Sequence, residues 1–213
     1  MKKYKTIFLD WNGTLSASKF WGHLEDPHHK NHLLFQEIEN TLFGKLHHLI
    51  KPWMKGECKS EDIIDNIVSN SNLDRKNVFD EFVTGCRKME YVSTEVLPLI
   101  KTIQNKGVKV FIATDNMDSF TRWTVPALRL NKIFDGILNS YDLKVMKSDA
   151  DGHGNSLFFG RSLSLHKLRP GESTIIDDSE DKDNIIKNFG IEYRKIEPVI
   201  GFVPELKQIL NFC

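Results

Sequence analysis

The sequence predicts an α/β protein with a doubly wound parallel sheet, interrupted after its first strand by an all-helical insertion. Three observations predict it. A short apolar run from Thr6 to Leu9 ends at the turn-forming sequence Asp10-Trp11-Asn12-Gly13. From about residue 16 to residue 92 the apolar residues keep a helical period. From Thr94 onward, helical stripes alternate with short apolar runs, the rhythm of strand–helix–strand units.

Leu34, Ile38, Leu42, Leu46 and Leu49-Ile50 follow one another at i, i+4 and predict an amphipathic helix that Pro52 interrupts. Ser60, followed by Glu61-Asp62, reads as an N-cap with acidic first-turn residues, opening a helix that carries Ile63, Ile64, Ile67 and Val68. Asp74 is expected to cap the next helix, whose buried side carries Val78, Phe79, Phe82 and Val83. Val96, Leu97, Ile100 and Ile103 predict a helix stopped by Gly107, and Val108 to Ala113 is an apolar run, broken only by Lys109, suited to a central strand covered on both faces. Phe120 to Leu130 reads as a helix bent at Pro126, Gly136-Ile137-Leu138 as a short strand and Ser156 to Leu168 as a helix. Thr174-Ile175-Ile176 is a strand running into Asp177-Asp178, and Asn184 to Asn188 and Val203 to Leu210 complete the helices. Residues 1–15 and 93–213 are therefore expected to form the α/β core and residues 16–92 a helical cap.

Composition narrows the function classes. Of 213 residues, 40% are hydrophobic and 27% charged, a globular balance. Lys plus Arg equals Asp plus Glu at 29 each, so the chain lacks the overall basic charge of a nucleic-acid binder. Cys58, Cys86 and Cys213 are odd in number, far apart and without a C-x-x-C pair, which predicts free thiols in a reducing compartment. Ile7-Phe8-Leu9 is too short for a signal-peptide core or a membrane span, so a cytoplasmic, membrane-free protein is expected, as a monomer or homodimer.

Four polar clusters follow predicted strands: Asp10-Trp11-Asn12-Gly13-Thr14, Thr114-Asp115-Asn116, Lys147, and Asp177-Asp178. An Asp after one apolar strand is commonly a turn or cap residue, and a single Lys or Thr says less. Together they converge on one sheet edge, where ligands of open α/β sheets bind. Their chemistry suits phosphoryl transfer. A carboxylate can attack phosphorus, acidic residues holding Mg²⁺ and a Lys can neutralise the charge, a Thr hydroxyl can donate to a phosphoryl oxygen, and Gly13 admits close backbone approach.

Phe8-Leu9-Asp10-Trp11-Asn12-Gly13-Thr14-Leu15 resembles the first motif of the haloacid dehalogenase-like (HAD) hydrolases, normally D-x-D-G-T. Thr114 stands where that family has its phosphate-binding Ser or Thr, Lys147 where it has a Lys, and Ile175-Ile176-Asp177-Asp178-Ser179 resembles its acidic fourth motif. The first motif is also similar to phosphoglycolate phosphatase-like sequences. The resemblance implies a Rossmann-like core, with Asp10 as nucleophile and metal ligand. It also implies Mg²⁺ held by Asp10, the Asn12 carbonyl, Asp178 and Asp177, with Asp183 behind them. Gly13, Thr114, Asp115 and Lys147 would then bind the phosphoryl group of a small phosphorylated metabolite. On this reading Lys147 neutralises charge and fills no core volume, so Lys147→Ala is expected to leave the fold intact.

Asn12 departs from the family pattern, which places there the Asp that protonates the leaving group and activates water. An amide cannot shuttle that proton. Asn12 therefore keeps open a catalytically impaired phosphoryl-ligand binder. It also keeps open a carbon–phosphorus hydrolase, since Asp-Trp-x-Gly-Thr is similar to phosphonoacetaldehyde hydrolases. Those use a cap lysine, for which Lys45, Lys51 and Lys55 are available. The metal-free haloacid branch fits the pair Asp177-Asp178 less well. His23, His28, His29, His32, His47 and His48 fall in the cap without a recognisable metal-ligand spacing and are expected to be solvated or capping residues. Trp11 and Trp123 are expected to pack in apolar clusters.

Overall fold

Five strands, β1 (Thr6–Leu9), β2 (Lys109–Thr114), β3 (Gly136–Asn139), β4 (Ser173–Asp177) and β5 (Glu192–Lys195), form one sheet in the order β3-β2-β1-β4-β5. Every pairing in it is parallel. The computed structural model describes residues 4–213; Met1 to Lys3, part of the expected core segment, lie outside the described residues. Strand β5 has no counterpart in the sequence reading. Glu192, Tyr193, Arg194 and Lys195 carry no apolar alternation, because β5 is an edge strand whose residues are half-buried or exposed.

The strands' period of two divides the core into two layers. Ile7, Leu9, Val110, Ile112 and Ile176 face one side, where they meet Val96, Ile100 and Ile103 of α5 and Phe202, Leu206 and Ile209 of α7. Phe8, Phe111, Ala113 and Ile175 face the other, against Phe158, Phe159 and Leu163 of α6. Here α5 is Val96–Asn105, α6 is Leu157–His166 and α7 is Phe202–Ile209; α1 to α4 belong to the helical block. Leu97, expected on the buried side of α5, is 39% exposed.

The block between β1 and α5 contains α1 (His32–Glu39), α2 (Ile50–Met54), α3 (Ser60–Ser69) and α4 (Arg75–Arg87) around an apolar cluster of its own that includes Trp21, Ile38, Trp53, Ile64 and Phe82. Two expectations are corrected here. The helix begun at His32 passes into a π-helical turn, Asn40–Lys45, and breaks at Leu46–His47, whereas Pro52 sits inside the first turn of α2, where its missing N–H costs nothing. Ser60 is not an N-cap. Lys59 takes that position, its N–H donating to Asp62 Oδ2 at 2.9 Å, while Asp74 does cap α4 through Asn77 N–H at 2.7 Å. Trp123 packs edge-on to Phe79 and Phe82, joining a core segment to the helical cluster.

Ser60 is instead part of the joint between block and core. Asp118, after β2, is 2% exposed and accepts from Trp53 Nε1 at 2.7 Å, Ser60 Oγ at 2.7 Å, Ser60 N–H at 3.1 Å and Arg122 Nη1 at 2.7 Å. Arg122 reaches on to both oxygens of Glu61. Removing the carboxylate strands three buried donors, Trp53 Nε1, Ser60 Oγ and Ser60 N–H, and unpairs the exposed Arg122. Asp118→Ala should therefore cost about 3–5 kcal/mol of unfolding free energy in denaturant titrations. A cost below about 1 kcal/mol would show the joint to be solvated and weak.

Candidate active site

The ladder between β1 and β4 continues one residue past β1, where Asp10 N–H donates to Ile176 O at 3.0 Å. That sets the Asp10 side chain at the carboxyl end of the central strand, beside the end of β4. The strand order reverses there, the place where open α/β sheets bind ligands. The chain then turns tightly: Gly13 N–H donates to Ser16 O at 2.8 Å and Ser16 N–H to Trp11 O at 2.8 Å. Gly13 has φ +73°, and a Cβ there would stand 2.3 Å from Asp178 Oδ2, so only glycine lets the loop and this carboxylate approach each other. Trp11 is buried, packs on Tyr91 and Phe120, and donates from Nε1 to Met89 Sδ at 3.4 Å; it anchors the turn from below.

The segment after β3 supplies the opposing charge, and the end of β4 a second carboxylate for it. Lys147, 7% exposed, extends Nζ to 2.5 Å from Asp177 Oδ2 and 3.0 Å from Asp10 Oδ1, the latter off the hydrogen-bond direction. Its backbone N–H donates to Asp115 Oδ1 at 2.9 Å. The second Asp177 oxygen accepts from Ser179 N–H at 2.9 Å, so both sides of this carboxylate are engaged. Burial pushes the Asp10 carboxyl up to about 7; Lys147 pulls it down and Asp177 adds to the rise. Burial works against the Lys147 ammonium, but Asp10, Asp177 and Asp115 together raise it well above its usual value. The Asp178 and Asp115 carboxyls are also raised, each chiefly by burial, with a further contribution from Asp177. One oxygen each of Asp10, Asp177 and Asp178 lie within 4.8 Å of one another. An all-oxygen set of this charge suits a hard dication such as Mg²⁺.

Asp10, Asn12, Gly13, Asp115, Lys147, Asp177 and Asp178 line a cavity of about 410 Å³. Thr114, at the end of β2, is fully buried, and its hydroxyl has no partner among the described residues. Asp183 is exposed and stands away from the cavity, while Asp181, which the sequence reading passed over, lines it and accepts from Ile186 and Lys187 N–H. Tyr193, Lys182 and Met54 also line it. Nothing in the local sequence marks them, since Tyr193 belongs to the unpredicted edge strand and Met54 comes from α2.

Met54 is held over the site by its backbone, Ser140 Oγ donating to Met54 O at 2.8 Å, and Lys55 pairs with Asp149 at 2.8 Å. None of Lys45, Lys51 and Lys55 lines the cavity. The cap histidines make local contacts: His23 meets Glu81 at 2.7 Å, and His32 Nδ1 lies 3.2 Å from Leu24 O.

The expectation that Lys147 is dispensable for stability is corrected by this geometry. Its ammonium is the cation shared by the buried Asp10 and Asp177, and truncation leaves these acids facing one another. Lys147→Ala should lower stability by about 3–5 kcal/mol. In a calorimeter that is a melting-temperature loss of about 6–20 °C in metal-free buffer. An unchanged melting temperature would mean that water already solvates these carboxylates.

The fold is that of the HAD-like enzymes. A HAD family enzyme from Bacteroides thetaiotaomicron superposes with a TM-score of 0.69 at 18% identity, over 92% of this chain and 95% of that one. A predicted HAD-like family hydrolase from Porphyromonas gingivalis gives 0.70 at 15% identity over 98% of both chains. The L-2-haloacid dehalogenase of Xanthobacter autotrophicus, with chloropropionic acid covalently bound, gives 0.61 at 12% identity over 91% of this chain and 77% of that one. No family model matches the sequence, and no curated protein matches it. Among the described residues, no helix is long and apolar enough to cross a membrane.

Proposed function

We propose that the chain hydrolyses a small phosphate monoester with Mg²⁺, through an aspartyl-phosphate formed on Asp10. The observation that carries this reading is the closure of Asp10, Asp177 and Asp178 around one cavity with Lys147 buried between the first two. Asp10 would hold the metal with Asp178 and the Asn12 carbonyl, and Asp177 would contribute while fixing Lys147. Bound Mg²⁺ would supply the positive charge that lets one anion approach another. Asp10 attacks phosphorus in its ionised form, which Lys147 favours. The Lys147 ammonium and the buried Thr114 hydroxyl offer donors to phosphoryl oxygens, and Gly13 brings the first loop close to the group. The helical block, residues 16–92, serves as a cap over the site. The Bacteroides enzyme with this fold has been solved in complex with magnesium and inorganic phosphate, which supports the reading. The first motif favours the phosphoglycolate phosphatase-like branch. Cys58 and Cys86 as free thiols suit a reducing, cytoplasmic compartment.

The test is hydrolysis of p-nitrophenyl phosphate with Mg²⁺ and with chelator. Activity that appears with Mg²⁺ and disappears in chelator is expected. Asn12 favours a second reading, a phosphoryl-ligand binder without turnover. No hydrolysis in either condition, together with a thermal shift on adding Mg²⁺ and phosphate, would establish it instead.

A further inference from the structure

On the cap side of the site a second chamber of about 460 Å³ is walled by Phe20, Phe43, Ile50, Met54 and Met117. It shares Asn12, Gly13 and Met54 with the cavity over Asp10. The two cavities adjoin at these residues, so the chamber lies beside the place of an ester whose phosphoryl group sits against Asp10 and Lys147. Phe43 is 46% exposed although it lines this wall, and it sits on the π-helical turn Asn40–Lys45, a local distortion frequent at functional sites. The chamber's titratable side chains are Lys19, which is paired with Glu25 at 2.6 Å, and Glu39. Its inner wall is an amide, Asn12, which cannot protonate a departing alkoxide.

We propose that this chamber receives the leaving group and that the leaving group is an aromatic, weakly basic alcohol, so that the substrates are aryl phosphates. The proposal rests on the phosphate-ester reading of Asp10 given above. Two properties of the chamber converge on it: an apolar wall with two aromatic rings suits a flat apolar body, and an amide rather than an acid at position 12 favours a group that departs as an anion. The bond from an Asp10 oxygen to phosphorus forms as the phosphorus–aryl oxygen bond breaks, and its electron pair leaves on the aryloxide. Water then attacks phosphorus, the pair of the Asp10–phosphorus bond returns to the carboxylate, and the water's proton goes out on the released phosphate.

Three substrates test this: naphthyl phosphate, glycerol phosphate with its basic alcohol, and acetyl phosphate, which is activated but has no apolar body. We expect kcat/KM for naphthyl phosphate to exceed that for glycerol phosphate by about 100-fold, the help a missing acid withholds from the poorer leaving group. In Phe43→Ala and Ile50→Ala the ratio of naphthyl to acetyl phosphate kcat/KM should fall about 10-fold. Phe43 is partly exposed, so its truncation spares the fold. Glycerol phosphate matching naphthyl phosphate, or both variants leaving the ratio unchanged, would overturn the proposal while acetyl phosphate turnover kept the phosphatase reading. A Glu39→Gln loss that grows with the basicity of the leaving group would reveal an acid in the chamber and overturn it too. No turnover of any of the three removes both readings.

Discussion

Asp10→Asn should abolish turnover, by at least about 10³-fold, and at the same time raise the melting temperature of the metal-free protein. The first effect is loss of the attacking oxygen anion. The second follows from linkage. Asp10 is 5% exposed and its carboxyl rises from 3.8 to about 7 on folding, chiefly through burial, so between those values the folded chain holds a proton that the unfolded chain releases. Ionised Asp10 therefore weakens the fold increasingly from about pH 4 upward, with the full cost present above about pH 7 and an upper bound of about 4 kcal/mol. Asparagine keeps the shape and removes the charge, while Lys147 retains Asp177 at 2.5 Å. A gain of about 5 °C is expected at pH 8, shrinking toward zero near pH 4. Calorimetry across this range decides the matter; a variant less stable than the parent at pH 8 would mean that the pairing with Lys147 outweighs the burial of Asp10.

Asn12→Asp is expected to accelerate turnover of an activated substrate by about ten-fold or more, within the usual 10²–10⁴ contribution of general acid–base catalysis. On the proposed mechanism an aryl or acyl phosphate would phosphorylate Asp10 without proton donation, so the first step does not need an acid at position 12. Hydrolysis of the aspartyl-phosphate removes a proton from water, and an amide cannot accept it. The parent should thus release a burst of alcohol equal to the enzyme present and then turn over slowly. Aspartate is nearly isosteric, and Asn12 already lines both cavities, so the substitution puts a base beside the reacting water without new packing. Stopped-flow traces that show neither a burst in the parent nor a faster slow phase in the variant would point to another base or to another reaction.

Much of this arrangement was legible in the sequence because it depends on local rules. Thr6 to Leu9 and Val108 to Ala113 read as strands from their apolar runs, where the structure has Thr6–Leu9 and Lys109–Thr114, and the turn after Asp10 read from its Asn-Gly. Four polar clusters at strand ends marked one edge, and the structure brings Asp10, Asp115, Lys147, Asp177 and Asp178 to one cavity there. Gly13 was legible as a need for close approach, but its partner, the Asp178 carboxylate, was not.

Tertiary structure alone decided the rest, since pairing between distant residues leaves no periodic trace. Strand β5 forms because β4 offers an unpaired edge, whatever its own polar sequence prefers. Ser60 looked like a cap, yet it serves Asp118, 58 residues away, because the joint between helical block and core needs donors there. Lys147 read as the lysine that neutralises a phosphoryl group; its pairing with Asp177, 30 residues away in sequence, makes it also the buried charge that lets two carboxylates coexist. Apolar period and turn chemistry act within a few residues and determine which elements form. Charge balance in a buried site depends on which strand ends meet, and that is settled only when the sheet closes its order around β1.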